Sequence, residues 1–336
     1  MASRKIEQEV EALNALRQEG SPTVIESVLR KSLRNRVNIV VAKAALLAAE
    51  FGIRSLTPDL CDAFERMLVN PVERDKQCWA KNAIAKALTQ LGYSESAIFL
   101  RGSNHVQMEA VWGGEQDTAV TLRATCILGL VQTTDLPRRR ILRQLVRALT
   151  DSQPVTDTHP VRLEAVRALE QMGGEEAPLL LRLKARIGDT TPAVTGQVFD
   201  ALLRLEAGEA VPFVSEFLKS GKSELREEAA LSLGTCRLAE AVKLLTEEWK
   251  NAYNPDFRRA LLNGLSASRQ DDALEFLLGI VAVEREHDAL AALSALEVHR
   301  DDKELTSRIA QSVEARSETA IGKAFQARFS GADRPN

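Results

Sequence analysis

One helical phrase, repeated eight times, constrains this chain more than any other feature of its sequence. Clear copies read Val161-Arg162-x-x-Ala165-Val166-x-x-Leu169, Leu225-Arg226-x-x-Ala229-Ala230-x-x-Leu233 and Phe257-Arg258-x-x-Leu261-Leu262-x-x-Leu265. Counting every copy, the first residues are 40, 80, 122, 161, 194, 225, 257 and 288, so the steps are 40, 42 and 39 residues, then 33, 31, 32 and 31. Positions 1, 5 and 9 fall on one helix face, and position 6 widens that apolar stripe. Small residues at position 5, such as Ala44, Ala165 and Ala229, let neighbouring helices approach closely.

Between phrases lies a second apolar-periodic segment, for example Leu179–Leu183 and Val211–Leu218. Pro178 and Pro212 are expected near helix starts, and Gly174, Gly188 and Gly208 at joints. Each unit therefore reads as helix, turn, helix. Such a pair cannot bury its own apolar face, so pairs must stack. The pattern predicts an all-α fold, a right-handed α-solenoid of about eight to nine helix pairs. Residues 1–36 read as a capping pair, 37–160 as longer repeats with insertion loops, 161–316 as short repeats, and 317–336 as a closing helix and polar tail.

The phrase resembles the HEAT-repeat family, and its short copies are similar to the HEAT-like repeats of phycobilisome lyases. That resemblance covers about residues 37–316. It implies a helical scaffold and includes members that bind DNA. The lyase name of the repeat type implies no activity here, because function resides in sites rather than folds.

Composition fits this reading. The 336 residues are 45% hydrophobic but only 4% aromatic, which suits stacked Leu- and Ala-rich helices better than one large core. The net charge of −3 argues against a general polyanion binder. Cys61, Cys78, Cys126 and Cys236 lack zinc-site spacing and read as reduced, core thiols. The opening segment, with Ile6, Val10, Leu13 and Leu16, is amphipathic rather than continuously apolar, so neither a signal peptide nor membrane insertion is expected, and the expected location is the cytoplasm.

The longer steps come from insertions at equivalent points, just before a phrase: Asn70–Lys76, Gly102–Asp117 and Asp151–Pro160. Equivalent points of stacked repeats line up on one edge, and such edges often bind. In the second insertion His105, Gln107 and Glu109 alternate with Val106, Met108 and Ala110, a strand-like period. Gly113-Gly114 permits a sharp turn, and Asp117-Thr118 suits a helix start. Two readings stand. His105, Gln107 and Glu109 offer hydrogen bonds to a partner, with Trp112 as anchor beside Gly113 and Gly114; or Trp112, Val111 and Met108 plug a gap between repeats.

A second candidate is Arg139, Arg143 and Arg147, spaced i, i+4, i+8 along one helix face, a stripe able to track phosphates. The alternative is a solvated face or pairing with nearby acids. The phrase-position-two arginines, Arg123, Arg162, Arg226 and Arg258, are expected to ladder to Asp157, Asp189 or Asp256. No phosphate loop, His-Glu-x-x-His or Gly-x-Ser-x-Gly motif is present, so no catalytic residue and no cofactor are expected. His105, Glu109 and His159 are the only candidates for a metal-assisted or lyase-type activity.

The leading expectation is a scaffold or adaptor for a protein or peptide partner, using its concave helix face and the 102–117 edge. Nucleic-acid binding through the arginine stripe is the alternative, and enzymatic activity the third.

Overall fold

The computed structural model describes residues 2–152 and 159–329. The chain forms two compact units, Met1–Ala177 and Pro178–Asn336.

In the first unit, α1 (Ala2–Ala15) and α2 (Pro22–Leu33) lead into α3 (Asn38–Glu50), α4 (Thr57–Leu68), the single turn α5 (Pro71–Arg74), α6 (Trp79–Gln90) and α7 (Ser96–Ser103). A hairpin of β1 (Met108–Val111) and β2 (Gly114–Asp117) follows, then α8 (Val120–Leu130), α9 (Arg138–Leu149) and α10 (Pro160–Met172). The hairpin forms the one sheet among the described residues. Four phrases lie on α3, α6, α8 and α10, and these helices pack on one another in that order. Their phrase residues are almost wholly buried, Val40, Ala44, Ile84, Leu122, Cys126 and Ala165 among them.

The second unit begins just inside the first turn of α11 (Glu176–Ile187). Then come α12 (Pro192–Leu205), α13 (Ala207–Ser215), α14 (Ser223–Thr235), α15 (Ala239–Asn251), α16 (Pro255–Ser268), α17 (Asp271–Val283), α18 (Glu286–Leu296), α19 (Lys303–Glu314) and α20 (Thr319–Phe329). The other four phrases lie on α12, α14, α16 and α18, which again pack in sequence. A Cβ placed on Gly234 of α14 would sit 1.9 Å from the carbonyl oxygen of Gly264 on α16, so the two backbones touch. All eight phrases are thus helical, and the chain is an all-α solenoid of stacked repeats. Among the described residues no helix is long and apolar enough to cross a membrane.

Helix starts follow the sequence in part. Pro22, Pro160, Pro192 and Pro255 occupy first helical positions, where the missing N–H costs nothing. The Asn254 side chain accepts from Phe257 N at 2.9 Å. Two expectations need correction: Gly208 belongs to the first turn of α13, and Pro212 lies inside that helix rather than near its start. Glu206, which opens the helix, is engaged by Arg182 instead.

The position-two cations have a shared task that the sequence pattern did not suggest. Each donates backward to a carbonyl at the end of the preceding element. Arg258 reaches Ala252 O at 3.1 Å and Arg226 reaches Ser220 O at 3.4 Å. Arg162 reaches Asp151 O at 3.0 Å, Arg123 reaches His105 O at 3.0 Å, and Lys81 reaches Met67 O at 3.3 Å. Exposed C-terminal carbonyls carry the negative end of the helix dipole, so a cation there is stabilising. Arg258 also pairs with Asp288 of the next phrase through two 3.0 Å bonds, while Asp256 pairs with Arg259 and Asp189 with Lys184. Asp157 lies outside the described residues.

Candidate binding edge around the hairpin

The hairpin turns through Trp112 and Gly113, with Val111 opposite Gly114. Gly113 has φ 94°, a conformation that strains any residue with a Cβ. Trp112 is therefore thrown outward at the tip and is fully exposed. It fills no gap between repeats, so the plug reading fails for Trp112. Val111 and Met108 are also exposed.

The strand-like alternation is present, but its sides are reversed from the expectation. Val106, Met108 and Ala110 face solvent, whereas Gln107 is only 2% exposed, and His105 and Glu109 are half-buried. The reason lies in α6. Lys81 and Asp75 are both fully buried and form an ion pair at 3.1 Å. Their charges require further partners. Lys81 Nζ donates to Gln107 Oε1 at 2.9 Å as well as to Met67 O. Asp75 accepts from the backbone N–H of Ala80 and Lys81 at 2.8 and 2.9 Å, capping the start of α6.

Gln107 is the centre of this network. Its Oε1 also accepts from Cys78 Sγ at 3.2 Å and lies 3.2 Å from His105 Nε2. Its Nε2 donates to Asp75 O at 2.8 Å and Glu109 Oε1 at 2.6 Å. With both ends of its amide engaged, Gln107 offers nothing to a partner. It holds the hairpin on the helices instead.

Glu109 is held less completely. Its Oε1 accepts from Gln107, from Thr118 Oγ1 at 2.6 Å and from Gln77 N at 2.6 Å. Oε2 receives no hydrogen bond from the described residues. Burial pushes this carboxyl upward, but the bonds from Thr118, Gln107 and Gln77 outweigh it and hold the group below the usual carboxylate range. Gln77 and Cys78 both have positive φ, 59° and 54°, a strained backbone that aims Gln77 N–H at Glu109.

The hairpin base is fixed by Asp117. Its Oδ1 accepts from Gln107 N and Ala119 N, and its Oδ2 pairs with Arg123 at 2.5 Å. Burial raises the Asp117 carboxyl less than these partners lower it, so it too lies below the ordinary value. Burial lowers His105 and leaves it neutral near pH 7, and it pushes the Cys78 thiol up to about 12.

Asp75 of the first insertion and Gln77 just after it thus touch the second insertion directly. From the third, Asp151 comes within 3.7 Å of Arg123, while residues 153–158 lie outside the described structure. His159 is not gathered with His105 and Glu109, since no group of three potential metal ligands occurs among the described residues. Arg139, Arg143 and Arg147 lie exposed on α9, and none forms an ion pair among the described residues. Of the stripe's neighbours, Arg138 alone is engaged, by Glu176 at 3.0 Å and the end of α10.

Between the hairpin and the starts of α6 and α8 lies a cleft of about 470 Å³. Trp79, Asn82, Glu109, Val111, Gln116 and Thr121 are among its walls. The Trp79 ring is half exposed. Sequence reasoning missed Trp79, Asp75 and Lys81. The available signal was Lys81 itself, a long cation at the second position of its phrase.

No curated protein matches the chain. Among solved structures, human deoxyhypusine hydroxylase in complex with glycerol is 18% identical, with 87% of this chain and 90% of that one covered at a TM-score of 0.28. The complex of CpcE and CpcF of phycocyanin lyase from Nostoc is 16% identical, covering 88% and 96% at 0.32. An engineered protein is 16% identical, covering 97% and 92% at 0.33. Residues 211–297, from α13 to the end of α18, match the family model of HEAT repeats. That match takes in three of the eight phrases, and the same phrase lies on five further helices.

Proposed function

We propose that this chain is a HEAT-repeat adaptor that binds a protein or peptide partner through the hairpin edge of its first unit. One observation carries the reading: a fully exposed Trp112 stands at the tip of a hairpin whose base is fixed by a buried polar network. An exposed tryptophan with Val111, Met108 and Val106 beside it gains nothing in the free chain. Trp is enriched among residues that dominate binding energy, and rigid presentation lowers the cost of association. The non-catalytic part of the reading rests on the use of the polar groups. Asp75, Lys81, Gln107 and Asp117 spend their side-chain hydrogen bonds inside the fold.

The test is affinity capture with the full chain. Trp112→Ala is expected to weaken a captured complex by about 2 kcal/mol or more, roughly 30-fold, with helix content unchanged. Retention of the same partners at the same strength removes the reading.

A second reading, nucleic-acid binding along α9, is favoured by the three exposed guanidinium groups without ion pairs. It predicts a slope of about −3 in log K against log salt for duplex DNA if all three meet phosphates. Absence of binding at low salt ends it.

A further inference from the structure

The hairpin network has a charge imbalance. Lys81 and Arg123 face Asp75, Asp117 and Glu109, two cations against three carboxylates, before counting Asp151 near Arg123. Asp75 is matched by Lys81, and Asp117 by Arg123. Glu109 is the remainder. It is compensated by three hydrogen bonds, all on Oε1, and it is the one charged residue lining the 470 Å³ cleft among the described residues. His105 adds no charge near neutral pH.

The rest of the lining suits one kind of guest. The Trp79 ring provides a half-exposed π face, which attracts a cation placed over it. Asn82, Gln116 and Thr121 offer carbonyl or hydroxyl oxygens at the walls, and Val111 and Ala110 offer apolar contact for a methylene stem. An anion would meet Glu109 instead. A neutral apolar side chain would bury an ionised carboxylate without a counter-charge, which is costly.

We propose that this cleft receives a lysine or arginine side chain of the partner. Glu109 Oε2 is the ion-pair acceptor, and Trp79 is the flat wall against which the cation and its stem lie. The inference rests on the hairpin edge being the binding edge. It adds the chemistry of the partner: a basic peptide segment whose apolar flank meets Trp112, Val111 and Met108.

The experiment uses the full chain and a displayed library of random nonapeptides, followed by synthetic copies of the selected peptides. Selected peptides are expected to share a lysine or arginine. Its replacement by norleucine or citrulline should weaken binding about tenfold or more, as for a hydrogen bond to a charged group. Glu109→Gln keeps the acceptor on Oε1 and removes the charge, and it is expected to abolish that tenfold preference. Trp79→Leu gives an independent check at the opposite wall. Melting temperatures of both variants show whether the fold is intact. Peptides that depend on Trp112 but show no preference for a cation overturn the cleft proposal and leave the hairpin reading standing. So does enrichment of acidic peptides. Selected peptides indifferent to Trp112→Ala, or no selection at all, overturn both.

Discussion

The two units run the same phrase with joints of different length, and one residue shows how both succeed. In the short repeats of the second unit, Arg226 and Arg258 each reach back six positions, to Ser220 O and Ala252 O. In the first unit Arg162 reaches back 11 positions, Lys81 14 and Arg123 18. The carbonyl at the end of the preceding element is delivered to the same cation whatever lies between. An insertion is therefore tolerated where its ends return to this contact, since added loop length alone costs little. The units differ in what the cation sees next. Arg258 lies over the Trp249 ring at 3.8 Å and pairs with Asp288, which is buried but keeps 9% exposure. Lys81 and Arg123 are sealed beneath the hairpin with buried carboxylates.

That contrast predicts unequal costs. Lys81→Met leaves Asp75 buried without its counter-ion and is expected to destabilise by about 3–5 kcal/mol. Arg258→Met is expected to cost about 1–3 kcal/mol, because Asp288 is less completely buried than Asp75 and the lost bonds are charge-assisted. Urea unfolding of the two variants compares them directly. Equal losses would mean that the joints differ in length alone.

The next effect tests the second unit by itself. Its short joints go with backbone contact between α14 and α16 at Gly234 and Gly264. Gly234→Ala gains helix propensity of about 1 kcal/mol yet forces these helices apart. A net loss of about 1–3 kcal/mol is expected, as for overpacking. Stabilisation in the same unfolding assay would show that the contact relaxes freely. In the first unit Gly129 faces a side chain, the Phe99 ring, which has more room to yield than a carbonyl.

The helices were legible because their cause is local. Val161, Ala165 and Leu169 recur at helical spacing, and that spacing alone decides which face is buried. The hairpin was legible as an interruption, from Gly113-Gly114 and the period of two. Its orientation was not. Whether Gln107 or Val106 points inward depends on Lys81, 26 residues away, needing an acceptor. No local pattern carries that requirement. Trp112 shows the same limit: its exposure follows from a turn whose direction is set by contacts at the hairpin base.

The smallest expected effect is in acid, and it has opposite signs in the two units. His105 has a folded pKa below its unfolded value near 6.5, so its contribution is present above that pH and is lost as pH falls through the folded value. Glu109 and Asp117 are likewise lowered, and their contribution is lost further down, as pH falls through folded values that lie below the ordinary carboxylate range. Glu228 of α14 is shifted the other way, by burial first and then by Asp200 and Glu227. Its charge opposes folding at neutral pH, and that penalty is relieved as pH falls through its raised folded value. Between pH 7 and 5, amide hydrogen exchange is therefore expected to quicken around Gln107 and α8 relative to α14, after correction for intrinsic rates. A uniform change across both units would show that the first unit's network carries no acid sensitivity of its own.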